Sequence, residues 1–104
     1  MVLQPLTDEQ RAAAREKAKH SRQVRAEAKQ ALRRREITVA EFLERADGDE
    51  ALERIRVEDM LKSIPSIGDV RARAIMRDLK IASSRRLRGL GTHQRNSLIS
   101  YLEG

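Results

Sequence analysis

Apolar positions recur at helical spacing in every segment that has several of them. Thr38-Val39-Ala40-Glu41 opens a run in which Val39, Phe42, Leu43 and Ala46 fall at i, i+3, i+4 and i+7, one face of a helix. Thr38 and Glu41 have the spacing of a capping box, in which each side chain satisfies an unpaired backbone N–H near the other. Asp47-Gly48-Asp49 breaks the run, Ala51, Leu52 and Ile55 predict a short piece, and Val57, Met60, Leu61 and Ile64 repeat the spacing up to Pro65. Pro65-Ser66-Ile67-Gly68 predicts a tight turn, since proline fixes its own φ and glycine permits positive φ. A helix from about Asp69 to Lys80 follows, with Ala72, Ile75, Met76 and Leu79 inward and Arg73, Arg77 and Lys80 along another side. After a loop from Ile81 to Gly91, Thr92 is placed to cap a last helix carrying Leu98, Ile99, Tyr101 and Leu102. No strand pattern and no internal repeat is present. From Glu36 onward 22 of 69 residues are large and apolar, enough for one compact helical core.

Residues 1–35 read differently. Thr7-Asp8-Glu9-Gln10 is a second capping box, and strong helix formers without Gly or Pro continue to about Arg35. Between Thr7 and Arg35 only Val24 and Leu32 are large and apolar, so this helix is expected to project from the body or to form loosely until something anionic lies along it. The fold class is therefore all-α: a basic N-terminal helical arm over 1–35 and a helical body over 36–104.

Charge sharpens the picture. The net formal charge is +6, but residues 11–35 carry ten basic and two acidic side chains, residues 36–60 three and nine, and residues 61–104 nine and three. A basic–acidic–basic order with a pI of about 10.5 points to a polyanionic partner. The absence of cysteine excludes disulfides and thiol chemistry. No apolar run reaches membrane-spanning length and no signal segment opens the chain, so the expected compartment is the cytoplasm. With only Phe42 and Tyr101 as aromatics, both read as core positions, stacking on unpaired bases has little to work with.

Three constellations carry candidate chemistry. At Ile64-Pro65-Ser66-Ile67-Gly68 a helix exposes its first backbone N–H groups; unpaired donors and the helix dipole together suit phosphate oxygens, and small residues let a backbone approach. An ordinary helix corner would show the same residues. Arg85-Arg86-Leu87-Arg88-Gly89-Leu90-Gly91-Thr92 sets three guanidinium forks before a second glycine-fronted helix start. Two such starts about 24 residues apart make a solvated basic loop the poorer reading. Along the arm, Arg22, Arg25, Lys29, Arg33 and Arg34 have few acidic partners one turn away and repel each other unless an anion intervenes. Nothing supports catalysis, a metal or a cofactor: His20 and His93 have no second ligand at suitable spacing. The acidic band 36–59 lacks a calcium-loop pattern and reads as a face turned away from the polyanion.

Pro5-Leu6-Thr7-x-Glu9-Gln10-Arg11-Ala12-Ala13-Ala14, Ile64-Pro65-x-Ile67-Gly68-x-Val70-Arg71-Ala72 and Arg85-Arg86-x-Arg88-Gly89-Leu90-Gly91 together resemble the actinobacterial integration host factor family, in order from about Leu3 to Leu102. The resemblance implies a long N-terminal helix leading into a helix-two-turn-helix body like that of ribosomal protein S13. It also implies a nucleoid-associated protein that binds duplex DNA with little sequence preference, influences bending, topology and compaction, and takes part in phage integration. Carried over residue by residue, DNA contacts fall on Arg85, Arg86, Arg88, Gly89, Gly91, Thr92 and Gln94, and on Ser66, Gly68, Val70, Arg71 and Arg73. Ser66 stands where the family commonly has Gly, and Asp69 where a basic or neutral residue is common, which shifts weight to the arginine loop.

The expected partner is double-stranded DNA, bound by a monomer, with no membrane and no small-molecule substrate. An RNA-binding or ribosome-associated module is the alternative, disfavoured by the lack of aromatics. A third reading, an adaptor whose acidic band meets a basic protein, predicts that charge reversal at Glu41, Glu44 and Glu53 abolishes activity without touching DNA binding.

Overall fold

A computed structural model describes residues 5–103; residues 1–4 of the expected arm and Gly104 lie outside it. Among the described residues the elements are α1 (Asp8–Arg33), α2 (Val39–Ala46), α3 (Glu50–Glu53), α4 (Val57–Lys62), α5 (Asp69–Asp78) and α6 (Thr92–Glu103), with a 3-10 turn at Leu87–Gly89. Both capping boxes form: the Thr7 hydroxyl accepts from the Gln10 amide while Gln10 accepts from Thr7, and Thr38 and Glu41 repeat the arrangement. The short α3 has a cap that spacing alone did not single out, the Asp49 carboxylate, which accepts from the amides of Ala51 and Leu52.

The core is built from the expected positions. Phe42, Met60, Leu61, Ile75, Leu98 and Val57 are fully enclosed, and burying side chains of this size stabilises by roughly 1.5–3 kcal/mol each. It also extends back into the arm: Ala28, Ala31 and Leu32 are buried and Val24 packs against them, whereas α1 before Ser21 is exposed throughout. The molecule is accordingly elongated, 51 × 33 × 25 Å. Tyr101 departs from the expected core position. It is 49% exposed on α6, at the edge of a helix face whose core contacts come from Leu98, with Ile99 and Leu102 packed beside it.

Three turns place a non-glycine residue in the left-handed region. α1 and α5 both end in Schellman motifs. Arg35 (φ 60) and Lys80 (φ 58) adopt the left-handed conformation, with Glu36 N donating to Ala31 O and Ile81 N to Met76 O. α5 thus stops at Asp78, two residues short of the expected Lys80. At the turn after α4, Ile67 N donates to Ile64 O at 3.1 Å, Pro65 sits at the second position and Ser66 at the third with φ 74. That is the pattern of a type II turn, which favours glycine at the third position. The positive φ expected of this turn falls on Ser66, not on Gly68, whose φ is −97.

One bidentate ion pair joins the end of α2 to α6: Arg95 donates to Asp47 at 2.8 and 3.0 Å. The hydrogen bond from Arg95 holds the Asp47 carboxyl below its ordinary value of 3.8. A lowered carboxylate pKa contributes stability above the unfolded value and loses it as pH falls through the folded one. Asp47→Asn is therefore expected to lower Tm at neutral pH and to flatten the fall of Tm below about pH 4, read by thermal melts across pH. Separately, Ser66→Gly removes the left-handed strain and is expected to stabilise by about 0.5–1 kcal/mol in urea unfolding, with unchanged helix content.

Candidate nucleic-acid interface

The turn after α4 and the start of α5 form the first element of the site. Gly68 is the N-cap of α5; its carbonyl accepts the first helical bond from Ala72 N at 2.9 Å, and no side chain caps the helix. The first amides of α5 are therefore open to an outside acceptor. A Cβ built on Gly68 would meet nothing within 4 Å. Neither its φ nor its own packing calls for glycine, so the free space is on the outer side, where a ligand backbone would approach. Val70 stands beside it, 81% exposed. Asp69, the acid that would oppose an anion here, is drawn away: Lys62 Nζ reaches its carboxylate at 3.3 Å, and this pair pushes the Lys62 pKa up. Arg71 is exposed, and Arg73 is partly engaged by Glu58 at 3.4 Å.

The second helix start repeats the geometry with one change of register. The Gly91 carbonyl accepts from Arg95 N at 2.9 Å, so Gly91 holds the N-cap position and Thr92, expected to cap, is the first helical residue. Gln94 Oε1 accepts from Gly91 N at 3.4 Å, while Gln94 Nε2 donates to Lys80 O at 3.1 Å. That second bond ties the start of α6 to the far end of α5. The two helix starts thus lie on the order of 15 Å apart, the length of the intervening helix, too far to hold a single phosphate between them.

Between them runs the arginine loop, more constrained than a solvated basic segment. Val57 N donates to Arg85 O and Leu87 N to Ile55 O, both at 2.9 Å, and Leu87 is buried. Arg85 crosses Gly89 and donates to its carbonyl at 3.0 Å; a Cβ on Gly89 would lie 3.1 Å from Arg85 Cδ, so glycine makes room for that side chain. Arg86 donates to Arg54 O at 2.8 Å. Arg88 is exposed and makes no hydrogen bond or ion pair among the described residues. Arg85, Arg86, Arg88 and Gly89 line an open groove with Ala82 and Ser84.

Of the arm residues, Arg22 and Arg25 line a groove between α1 and α3, and Arg25 and Lys29 line the next one along with Arg54, Arg56 and Arg86. Arg33 and Arg34 lie beyond it at the end of α1, Arg34 facing Glu36 at 4.0 Å. Arg54 and Arg56 were missed in the sequence because they sit inside a segment of net negative charge. Their positions flanking Ile55, at the junction of two short helical pieces, were the available signal.

The comparisons with known proteins bear on this geometry. Residues 32–102 match the S13-like H2TH domain family. The chain is 48% identical over 99 residues to the integration host factor of Mycobacterium tuberculosis, covering 95% of this chain and 94% of that protein. The chain belongs to the integration host factor family. The Streptomyces coelicolor integration host factor is 44% identical over 98 residues, covering 94% of this chain and 92% of its own. A solved structure of sIHF bound to an 8-bp palindromic DNA superposes with a TM-score of 0.81 at 37% identity, covering 84% of this chain and 98% of that one.

The open start of α5 generates its own test. Gly68→Ala puts a methyl group into the outer space without an internal clash. Its thermal stability is expected to stay within about 0.5 kcal/mol of the parent, while duplex affinity in a gel shift falls several-fold.

Proposed function

We propose that this member of the integration host factor family is a non-enzymatic, nucleoid-associated protein. It binds the phosphate backbone of double-stranded DNA as a monomer with little sequence preference, influencing bending, topology and compaction, with a part in phage integration. The observation that carries the reading is the pinned arginine loop between two glycine-fronted helix starts, which presents fixed backbone amides and guanidinium forks to the same kind of ligand. In support, the structural relative at TM-score 0.81 is bound to DNA.

The residues proposed to act divide by mechanism. Gly68 and Gly91 give phosphate access to the amides that follow, and Ser66, Thr92 and Gln94 add polar hydrogens beside them. Val70 offers an apolar contact for deoxyribose. Arg85, Arg86 and Arg88 supply charge-assisted bonds, with Arg71 and Arg73 at the flank; Gly89 lets Arg85 lie flat across the loop. Arg22, Arg25, Lys29, Arg33 and Arg34 form an auxiliary arm on the same duplex or a second one. Backbone contacts carry no sequence information of their own, which accounts for sequence tolerance. None of the described helices is long and apolar enough to cross a membrane, and the proposed location is the cytoplasm, on the nucleoid. Phe42 is wholly buried and Tyr101 is a single exposed ring, so a sequence-specific reader of unpaired RNA bases would lack its stacking platform.

With about six phosphates neutralised, log affinity is expected to fall against log salt with a slope near −5; a salt-insensitive affinity would overturn the reading. Arg88→Ala is the cleanest single change, since Arg88 makes no hydrogen bond or ion pair among the described residues. It is expected to weaken duplex binding by about three- to tenfold, flattening the slope by about one, with Tm unchanged. Replacing Arg85, Arg86 and Arg88 together by Ala is expected to cost at least tenfold in a gel shift. That variant also loses two bonds to backbone carbonyls, so circular dichroism must accompany it. Near-normal binding by the folded triple variant would remove the loop from the site.

A further inference from the structure

Arg56 and Arg86 face each other across an isolated antiparallel bridge. The bonds Val57 N to Arg85 O and Leu87 N to Ile55 O flank the pair on either side. It is therefore the non-hydrogen-bonded kind, with Cα atoms about 4.5 Å apart and both side chains leaving on one side. Like charges placed directly opposite in this way destabilise a strand pair. Arg25 and Lys29, one turn apart and half-buried on the inner side of α1, line the same groove of roughly 250 Å3, together with Arg54.

Two carboxylates stand close, and neither pairs with Arg25, Lys29, Arg56 or Arg86. Asp59 lines the groove but lies 3.7 Å from Lys62 Nζ, and Glu50 bonds Arg54 at 2.8 Å. Arg25, Lys29, Arg56 and Arg86 have no carboxylate within 4.0 Å among the described residues. Four cations held together, with Asp59 the one carboxylate lining their groove, lower the stability of the free protein, and an anion in the groove reverses that.

We infer that this groove is a second phosphate seat, which takes the backbone of the same duplex that the arginine loop holds. Arg56 and Arg86 straddle one phosphate, and Arg25 and Lys29 meet its neighbour. Arg86 lines both this groove and that of the loop, and Arg25 lines the next groove along α1, so the cations form one continuous track. A track suits a polymer; a free small anion would need an enclosed pocket. The inference rests on the reading of the arginine loop as a DNA site.

The test uses the full chain with Arg56→Gln, Lys29→Gln and the double variant, titrated with duplex DNA by fluorescence anisotropy over a salt series, with Tm measured without DNA. The double variant is expected to lose about tenfold in affinity and to flatten the salt slope by about two, while Tm holds or rises as repulsion is relieved. Arg56→Lys, which keeps the charge, is expected to keep the slope. Unchanged affinity and slope in the double variant would overturn the inference. Arg88→Gln run in parallel separates the two failures: if it weakens binding while the groove variants do not, the groove alone is wrong, and if neither weakens, the loop reading fails too. Displacement of the duplex by submillimolar inorganic phosphate at matched ionic strength would assign the groove to free phosphate and overturn the duplex assignment.

Discussion

Two backbone hydrogen bonds, Val57 N to Arg85 O and Leu87 N to Ile55 O, decide what the basic part of this molecule can do. Without them the segment from Ile81 to Gly91 would be a solvated chain, and ordering its backbone on meeting a ligand would cost about 1–2 kcal/mol per residue. With them, and with Leu87 sunk in the core, the three Cα positions are fixed before any ligand arrives. Arg85 and Arg86 are further restrained by the carbonyls of Gly89 and Arg54. The bridge also brings the α3–α4 junction alongside the loop, which is why Arg54 and Arg56 share a surface with residues some thirty positions later.

Ion pairs on this surface hold little of the fold together, since exposed pairs are worth about 0–1 kcal/mol. Their effect is to sort the charges. Asp69 leans to Lys62, Glu58 to Arg73, Glu50 to Arg54 and Asp47 to Arg95. Those four acids are thereby matched with cations, Asp59 on the groove wall shares Lys62 with Asp69, and most of the cations left over are those of α1, Arg56 and the loop. A net charge of +6 understates the field that a polyanion meets there.

The sequence made legible what is decided locally. Both capping boxes, the faces of α2 and α4 and the two glycine-fronted helix starts follow from spacing within one or two turns, and the family resemblance supplied the order in which they pack. Features that depend on distant partners were hidden. Nothing near Ser66, Arg35 or Lys80 announces a left-handed residue where glycine is the usual choice; the packing that follows each turn imposes it, with Ile67, Ile37 and Ile81 all buried. Tyr101 has helical spacing to Leu98 yet lies outside, because Leu98, Ile99 and Leu102 dock that end of α6 and leave Tyr101 at the edge of the buried face. Arg56 was lost to block averaging: its segment is acidic, and only the pairing with Arg86 gives it a basic neighbourhood.

The arm ties stability to binding. A helix is costly to nucleate and nearly neutral to extend. Docking of Val24, Ala28, Ala31 and Leu32 on the body supplies the nucleus, so the order of the remaining turns toward Asp8 depends on small terms per residue. One of these is mutual repulsion, with ten basic side chains against two acidic ones in residues 11–35. A polyanion lying along α1 removes that repulsion and favours the helix that presents the charges. Helicity of the exposed turns and affinity for the ligand are then linked quantities, and salt weakens binding while partly restoring the helix by screening. An arm with a large apolar face would have been rigid but docked; one with no docked end would have been free but unfolded. Four inward residues at one end give a basic rod that is anchored and still exposed.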